Sequence, residues 1–398
     1  AAPPAETSVQ YPDEMDFIKD GEVDYDAYGK AYDAWWQGRQ EKTDSMLPVS
    51  DTAHWFQTSI PALMQDAGEE NRVCSPLNLY MALAMLAAVT DGESRGQILS
   101  ALGADSLEQV QSRAAQLWQE NSWDDGMVTS LLANSIWLRD GYEYNEETLQ
   151  KLGKDFFASA FSGEMGSDSL NQELQTWINE NTGDLLTEQA SGAQLRPETV
   201  LALVSTIYYS AQWVDQFNEG SSTQDTFHAP SGDETATFMH SRNTGTVYYG
   251  EGFTATGLSL ENSGYMWLLK PDAGTRAVEL LQSGEAVDFL LANGDWAQSQ
   301  RAEIDLSIPK FDVSSDLDLL DTLTQLGITD VQTGAADFTP LTTDTESMLE
   351  LTQAKHAARV KIDEDGCEAA AYTILAVCET AAMPPEEIVE FTLDEPFV

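Results

Sequence analysis

Residues 363–383 read DEDGCEAAAYTILAVCETAAM, and two prolines follow them. Successive side chains of a β-strand point to opposite faces of its sheet. Counted by twos, one face of this stretch is small near Cys367 and apolar near Val377, while the other face carries Glu368 and Tyr372. This alternation is typical of a strand that slides between existing strands of a sheet and leaves one face in water.

The local composition of the same stretch favours a helix, because alanine has the highest helix propensity of all residues. The run is too short to span a membrane, which takes ~20 consecutive apolar residues. The rest of the chain therefore has to decide between an ordinary helix and an insertable strand.

The net charge of the chain restricts its partners. Its 398 residues include 67 acidic and 19 basic side chains, a formal charge of -48. Such a field repels nucleic acids, anionic membrane surfaces and heparin-like polyanions, so we expect none of them as partners. A cationic protein would be attracted, although solubility alone explains the charge equally well.

The three cysteines, Cys74, Cys367 and Cys378, follow neither a disulfide framework nor a zinc-binding spacing, so we expect no metal and no cofactor. No apolar run reaches membrane length. The chain starts Ala-Ala-Pro-Pro without a methionine, as a mature form after signal removal or a trimmed chain would. A secreted, extracellular protein is the expectation.

Residues 1–50 differ from the remainder in being acidic and interrupted by prolines. Their aromatic side chains recur at helical spacing: Tyr25, Tyr28, Tyr32, Trp35 and Trp36. The pattern predicts an N-terminal extension with a short amphipathic helix, packed on its own domain or docked to a partner. We expect residues 51–398 to form the main domain.

Within residues 51–398, helices dominate early and strands dominate late. Ser75 and Pro76 predict the start of a buried helix over 79–86, with Ser75 as its N-cap. Further helices are expected between Gly92 and Gly103, over 171–180 and over 316–326, and strands over 131–138, 200–209 and 304–308. Strands and helices do not alternate regularly, which favours an α+β fold.

Motifs of catalysis are missing from the sequence. Its four histidines are His54, His228, His240 and His356, and none belongs to a zinc-protease motif. Neither a nucleophile elbow nor a phosphate-binding loop is present. We therefore expect no catalytic residues and no enzyme, and a hydrolase is the last of the alternatives.

Several segments, in the right order, resemble the serpin family. They are residues 71–86, 90–98, 207–217, 308–311, 326–328 and 336–338. Residues 363–373 then fall where serpins carry the hinge of their reactive-centre loop. The resemblance covers about residues 51–398 and implies the α+β serpin fold, with about nine helices, three β-sheets and an exposed loop.

The resemblance also implies a mechanism. A serine protease attacks the loop as a substrate, and the cleaved loop then becomes a new strand of the large sheet and carries the acyl-enzyme with it. The driving free energy comes from a native state that is kinetically separated from a more stable one. A monomeric, inhibitory serpin is thus expected rather than an enzyme.

Insertion requires hinge side chains that are small where they enter the sheet. The implied hinge consists of Glu364, Gly366, Cys367, Glu368, Ala369, Ala370, Ala371, Tyr372 and Thr373. Gly366 is expected to give the backbone freedom at the pivot. Tyr372 is bulky, but the alternation places it on the outward face.

The cleaved bond has two candidates. The usual spacing from Glu364 gives Thr380–Ala381, whereas counting back from the two prolines gives Ala381–Ala382. Either bond presents a small uncharged residue to the primary pocket of the protease. An elastase-like or subtilisin-like target is expected, and a cationic one would suit the acidic chain.

Serpins also place a polar cluster, the shutter, beneath the opening of the large sheet. The corresponding positions are Ser75, Asn78, Ser205 and His356, where a serine and an asparagine look exchanged between helix and strand. An amide at Asn78 would restore the hydrogen bonds that Ser205 does not make, and independent drift is the alternative. Trp213 is the counterpart of the tryptophan at the breach, where the loop enters the sheet.

Two further features bear on inhibition. A disulfide between Cys367 and Cys378 would tether the loop and block insertion, although free thiols are the expectation. Serpins continue beyond the position of Val398 with two more strands, so the last strands are expected to be missing from this sequence. The alternatives to an inhibitor are a non-inhibitory serpin that acts as a binding module, and an acidic surface protein.

Overall fold

The computed structural model describes residues 9–19, 21–45, 52–261, 264–342, 348–367 and 387–398. Within these ranges the chain forms eleven α-helices. They are α1 (Tyr25–Ser45), α2 (Ala53–Met64), α3 (Pro76–Val89), α4 (Gly92–Ala101), α5 (Leu107–Glu120), α6 (Glu146–Asp155), α7 (Asp168–Glu180), α8 (Thr187–Ser191), α9 (Ala277–Gln282), α10 (Gly284–Ala292) and α11 (Leu320–Gln325).

The same ranges contain fifteen β-strands. They are β1 (Ile18–Lys19), β2 (Glu22–Val23), β3 (Ser122–Asp124), β4 (Val128–Arg139), β5 (Ala158–Gly163), β6 (Leu201–Gln212), β7 (Thr223–Ala229), β8 (Gly232–Gly250), β9 (Phe253–Leu260), β10 (Gly264–Pro271), β11 (Ser299–Pro309), β12 (Phe311–Asp318), β13 (Lys355–Ile362), β14 (Gly366–Cys367) and β15 (Ile388–Thr392).

The strands form three sheets, which confirms the α+β class. One is the β1–β2 hairpin. A six-stranded sheet has the order β10-β9-β8-β11-β15, with β7 paired to β8. A seven-stranded sheet has the order β12-β13-β14-β6-β4-β3, with β5 paired to β4.

The chain folds into two compact units. The first unit comprises Ala1–Thr58, Cys74–Tyr209 and Ser315–Ala358, and the second comprises Ser59–Val73, Ser210–Ser314 and Arg359–Val398. The N-terminal extension clusters with the first unit. Its helix α1 has 21 residues and is longer than the short helix that the aromatic spacing predicts.

Helix α3 is a buried helix of the first unit. The hydroxyl of Ser75 accepts a hydrogen bond from the Asn78 N–H, and Pro76 occupies the first turn, so the predicted start is confirmed. Eleven of its fourteen residues are buried. A helix that is apolar on all sides belongs in a core, and α3 is such a helix.

The core of the second unit lies between a sheet face and two short helices. Phe253 and Leu269 from β9 and β10 pack against Leu280 of α9 and Phe289 of α10. All four side chains are at most 2% exposed. The unit therefore has its own apolar centre. No helix in the described ranges is long and apolar enough to cross a membrane.

The strands expected over 131–138, 200–209 and 304–308 are confirmed within β4, β6 and β11. The helix expected over 316–326 is wrong in its first part, since β12 continues to Asp318 and α11 begins only at Leu320. Exposure alternates residue by residue along β12, which is the signature of a strand in a sheet.

Candidate functional site

A slot in the first unit lies between β6 and β13. It is a cavity of about 540 Å³, within the usual size range of ligand pockets. Residues 201–206 of β6 and 355–357 of β13 form its two sides, and Leu83 and Leu86 of α3 contribute apolar side chains. The slot is thus bordered by two strands and lined largely by apolar groups.

The four shutter residues meet beside this slot in two pairs. His356 is 8% exposed, and its Nε2 accepts a hydrogen bond from the backbone N–H of Ser75 at 2.8 Å. Burial lowers the pKa of His356 to about 4, so the neutral ring is available as an acceptor at neutral pH. The Ser75 hydroxyl caps α3, and it is the backbone of this serine that holds the histidine.

The second pair joins the two positions that look exchanged. Asn78 donates from Nδ2 to the hydroxyl of Ser205 at 3.0 Å. The amide on helix α3 thus hydrogen-bonds to the hydroxyl on strand β6, as expected if the two residue types are exchanged between helix and strand. Both side chains line the slot, as His356 does, so the polar cluster ties α3 to β6 and β13.

The start of the hinge is a short strand in the second unit. Cys367 of β14 pairs with Ile362 of β13 on one side and with Ala211 of β6 on the other, and Gly366 pairs with Gln212. A Cβ at Gly366 would clash with the carbonyl oxygen of Ala211 and lie 2.7 Å from the Cα of Gln212. Gly366 is not among the glycines with positive φ, so close backbone approach, rather than backbone freedom, explains this glycine.

Trp213 anchors the turn before β14. Its side chain is 2% exposed, and its indole Nε1 donates to the carbonyl of Asp363 at 2.9 Å. Its backbone N–H donates to the carbonyl of Asp365 at 3.1 Å. Trp213 therefore fixes both ends of the acidic turn, at the breach position that the resemblance implies.

Glu364 adds an ion pair to the same turn. The buried carboxylate contacts the ammonium group of Lys310 and accepts a hydrogen bond from the hydroxyl of Ser222 at 2.6 Å. Burial raises the pKa of Glu364, but the hydrogen bonds from Lys310 and Ser222 outweigh it and hold the pKa below its usual range. Lys310 lies in one of the segments that resemble serpins, whereas nothing in the sequence points to Ser222.

The remaining predicted site residues lie outside the described part of the chain. These are Glu368, Ala369, Ala370, Ala371, Tyr372, Thr373, Thr380, Ala381 and Ala382, together with Cys378. Both candidate cleavage bonds therefore stay predictions. Where the structure describes the chain, no group of three or more metal-binding side chains comes together.

Comparison with known proteins identifies what this arrangement is similar to. A family model described as serpin (serine protease inhibitor) matches residues 58–398. Human neuroserpin is 26% identical over 343 residues, which cover 83% of this chain and 82% of neuroserpin.

Two solved structures share the fold. Tengpin, a thermophilic serpin in its native state, aligns with a TM-score of 0.73 at 22% identity, covering 89% of this chain and 91% of tengpin. Human thyroxine-binding globulin in complex with thyroxine aligns with a TM-score of 0.71 at 22% identity, covering 87% of this chain and 94% of the globulin. At such identities the likeness speaks for the fold alone.

Proposed function

Because this chain belongs to the serpin family, we propose that it inhibits a serine protease by inserting its own cleaved loop into the seven-stranded sheet. The slot between β6 and β13 carries the proposal. An inserting strand needs two strand edges and a largely apolar floor, and residues 201–206 and 355–357 border a cavity with such a floor. The chain acts as an inhibitor, not as an enzyme.

The hinge supports insertion from one end. β14 already occupies the position between β13 and β6, so residue 368 onward has only to extend an existing pairing. The turn before it is held by Trp213 and by the Lys310–Glu364 pair. The strand would therefore grow from a fixed start, and its remaining residues would travel into the slot.

The protease carries out the cleavage reaction. Its serine oxygen attacks the carbonyl carbon of Thr380 or Ala381, and the peptide C–N bond breaks. The new amine leaves with the downstream chain, and an ester joins the upstream chain to the protease. Insertion of residues 368–380 then separates the ester from the deacylating water by distorting the protease.

The target is an elastase-like or subtilisin-like protease. Thr380, Ala381 and Ala382 are small and uncharged, and such residues fit a small primary pocket but neither a cation-binding nor an aromatic one. The formal charge of -48 would speed association with a cationic protease at low salt. We place the inhibitor outside the cell, as a monomer, with no nucleic acid, membrane or heparin partner.

A non-inhibitory role as a binding module is the second candidate, and the same slot favours it. Its apolar lining and volume of about 540 Å³ suit a lipophilic ligand that stays bound without any strand insertion. In that case cleavage of the loop would leave the protease active.

The test is incubation of the chain with an elastase, a subtilisin and trypsin, followed by denaturing gel electrophoresis. An inhibitor gives a complex with the elastase or the subtilisin that survives denaturation. Clean cleavage without a complex indicates a substrate and supports the binding module. Complexes with trypsin alone would contradict the proposed target.

A further inference from the structure

Strand β3 has one edge that faces away from its partner β4. The carbonyl of Asn121 accepts from the Leu132 N–H, and the Asp125 N–H donates to the carbonyl of Val128. Since backbone groups alternate in direction along an antiparallel strand, the carbonyls of Ser122 and Asp124 point outward. An outward edge of this kind is a template for pairing with another chain.

The N-terminal extension occupies these outward carbonyls with side chains. The Lys42 ammonium donates to the carbonyl of Ser122, and Gln10 Nε2 donates to the carbonyl of Asp124 at 2.9 Å. Side-chain donors end the hydrogen bonding at the edge, whereas an added strand would continue it.

Asp125 is the second anchor of the extension. Its carbonyl accepts from the Tyr11 N–H at 2.6 Å and from Trp35 Nε1 at 3.1 Å. Its side chain is 1% exposed, and one carboxylate oxygen lies 3.6 Å from the guanidinium of Arg39. The turn after β3 is thus bound through its backbone and its charge together.

Stacked aromatic and cationic groups cover the same strand. The Arg39 guanidinium lies 5.1 Å from the ring centre of Trp35 and 5.8 Å from that of Trp123, and Lys42 lies 4.7 Å from Trp123. Trp35 and Trp123 are 2% and 3% exposed. Two of the 19 basic residues of this acidic chain, Arg39 and Lys42, therefore pack against one strand of three residues.

We propose that the extension, through Gln10, Tyr11, Trp35, Arg39 and Lys42, is an edge guard that prevents β3 from pairing with β3 of a second copy of this chain. Release of the guard frees the outward carbonyls and uncovers the ring of Trp123. An open strand edge beside an apolar patch is a template for association. The pairing would be antiparallel and two-fold symmetric, because the same short strand meets itself.

The charge of the chain sets the conditions under which this is seen. Two copies repel each other through their formal charges of -48, and salt screens this repulsion. Self-association of a chain with a disabled guard should therefore increase with salt, whereas the guarded chain stays monomeric at every salt concentration.

The experiment uses the full chain with Trp35→Ala and Lys42→Ala together, measured by sedimentation velocity at low and high salt. The matched control is Trp36→Ala with Lys30→Ala, because Trp36 is 49% exposed and Lys30 is exposed on the same helix. The guard variant is expected to move from 43.6 kDa toward twice that mass at high salt, and the control to stay at one chain.

Hydrogen exchange at the amides of Ser122 and Asp124 locates the contact, since both should slow on association. If the guard variant does not fold, Gln10→Ala with Lys42→Met removes the two edge donors, keeps an unbranched side chain at position 42, and is measured in the same way. The proposal is overturned if the folded variant stays monomeric at high salt, if it associates without slowing these two amides, or if the unchanged chain already associates.

Discussion

Acidification should destabilise the fold through His356, whose ring is buried beside the slot and accepts a hydrogen bond from the Ser75 N–H. The pKa of this histidine is about 4 in the folded chain, against 6.5 for an unperturbed histidine. As the pH falls below 6.5, His356 becomes protonated in the unfolded chain but stays neutral in the folded chain. The stabilisation is complete above pH 6.5 and is lost progressively down to about pH 4.

The size of the effect follows from the two pKa values. Each tenfold difference in proton affinity corresponds to about 1.4 kcal/mol, so the loss in unfolding free energy is about 3 kcal/mol at the acid end.

His228 acts in the opposite direction. Its hydrogen bond with Asp233 raises its pKa, so its contribution is present at low pH and is lost as the pH rises.

The assay is urea unfolding between pH 7.5 and 4.5 of the unchanged chain and of His356→Gln. Glutamine can accept the Ser75 N–H through its carbonyl but does not titrate, so the variant should lose less stability on acidification. His54→Gln is the matched control, because His54 is an exposed histidine of the same unit. Parallel stability curves for His356→Gln and the unchanged chain would refute the reasoning.

Three further outcomes follow from the site. Asn78→Ser should lower the unfolding free energy by about 1–3 kcal/mol, and adding Ser205→Asn should recover it; an additive double mutant would show that the pair is independent. Lys310→Gln should cost about 1–3 kcal/mol at neutral pH and progressively less in acid as Glu364 protonates, and an unchanged urea midpoint would contradict the pairing. Gly366→Ala should slow complex formation with the target protease in stopped-flow measurements, because the added Cβ clashes with β6, and an unchanged rate would exclude close packing there.

Much of the fold could be predicted because local signals and tertiary context agree. Ser75 and Pro76 mark the start of α3 by capping chemistry that acts within one turn. The strands within β4, β6 and β11 are rich in apolar and β-branched residues, which is typical of buried strands. The sequence does not predict the boundary between β12 and α11 correctly, because Leu319 and Leu320 continue an apolar spacing that suits a helix as well as a strand.

Some residues of the candidate site could be predicted from the sequence, and others could not. The pairing of Asn78 with Ser205 followed from two exchanged residue types, since an amide and a hydroxyl complement each other wherever each one sits. Ser222 could not be found, because its hydrogen bond to Glu364 spans 142 positions of the sequence and serine is common on surfaces. The reason for Gly366 needed coordinates too, since only they show how closely β6 approaches it.

The sequence predicts the docking of the N-terminal extension only in outline. The aromatic spacing predicts a helix, and α1 is that helix. Asp125, which accepts the hydrogen bond from Trp35, lies 90 positions further along the chain. In sequence it looks like any other of the 67 acidic residues. Burial and the Arg39 contact distinguish it, and neither is visible in sequence.

The most direct test of insertion compares two neighbouring substitutions, Ala371→Arg and Tyr372→Arg, in complex formation with an elastase or a subtilisin. By the alternation of a strand, residue 371 enters the sheet and residue 372 faces outward. Burial of an arginine should block insertion, so Ala371→Arg is expected to be cleaved without forming the denaturation-resistant complex, while Tyr372→Arg still forms it. Equal complex yields from the two variants would contradict the claim that the loop becomes a strand of the sheet.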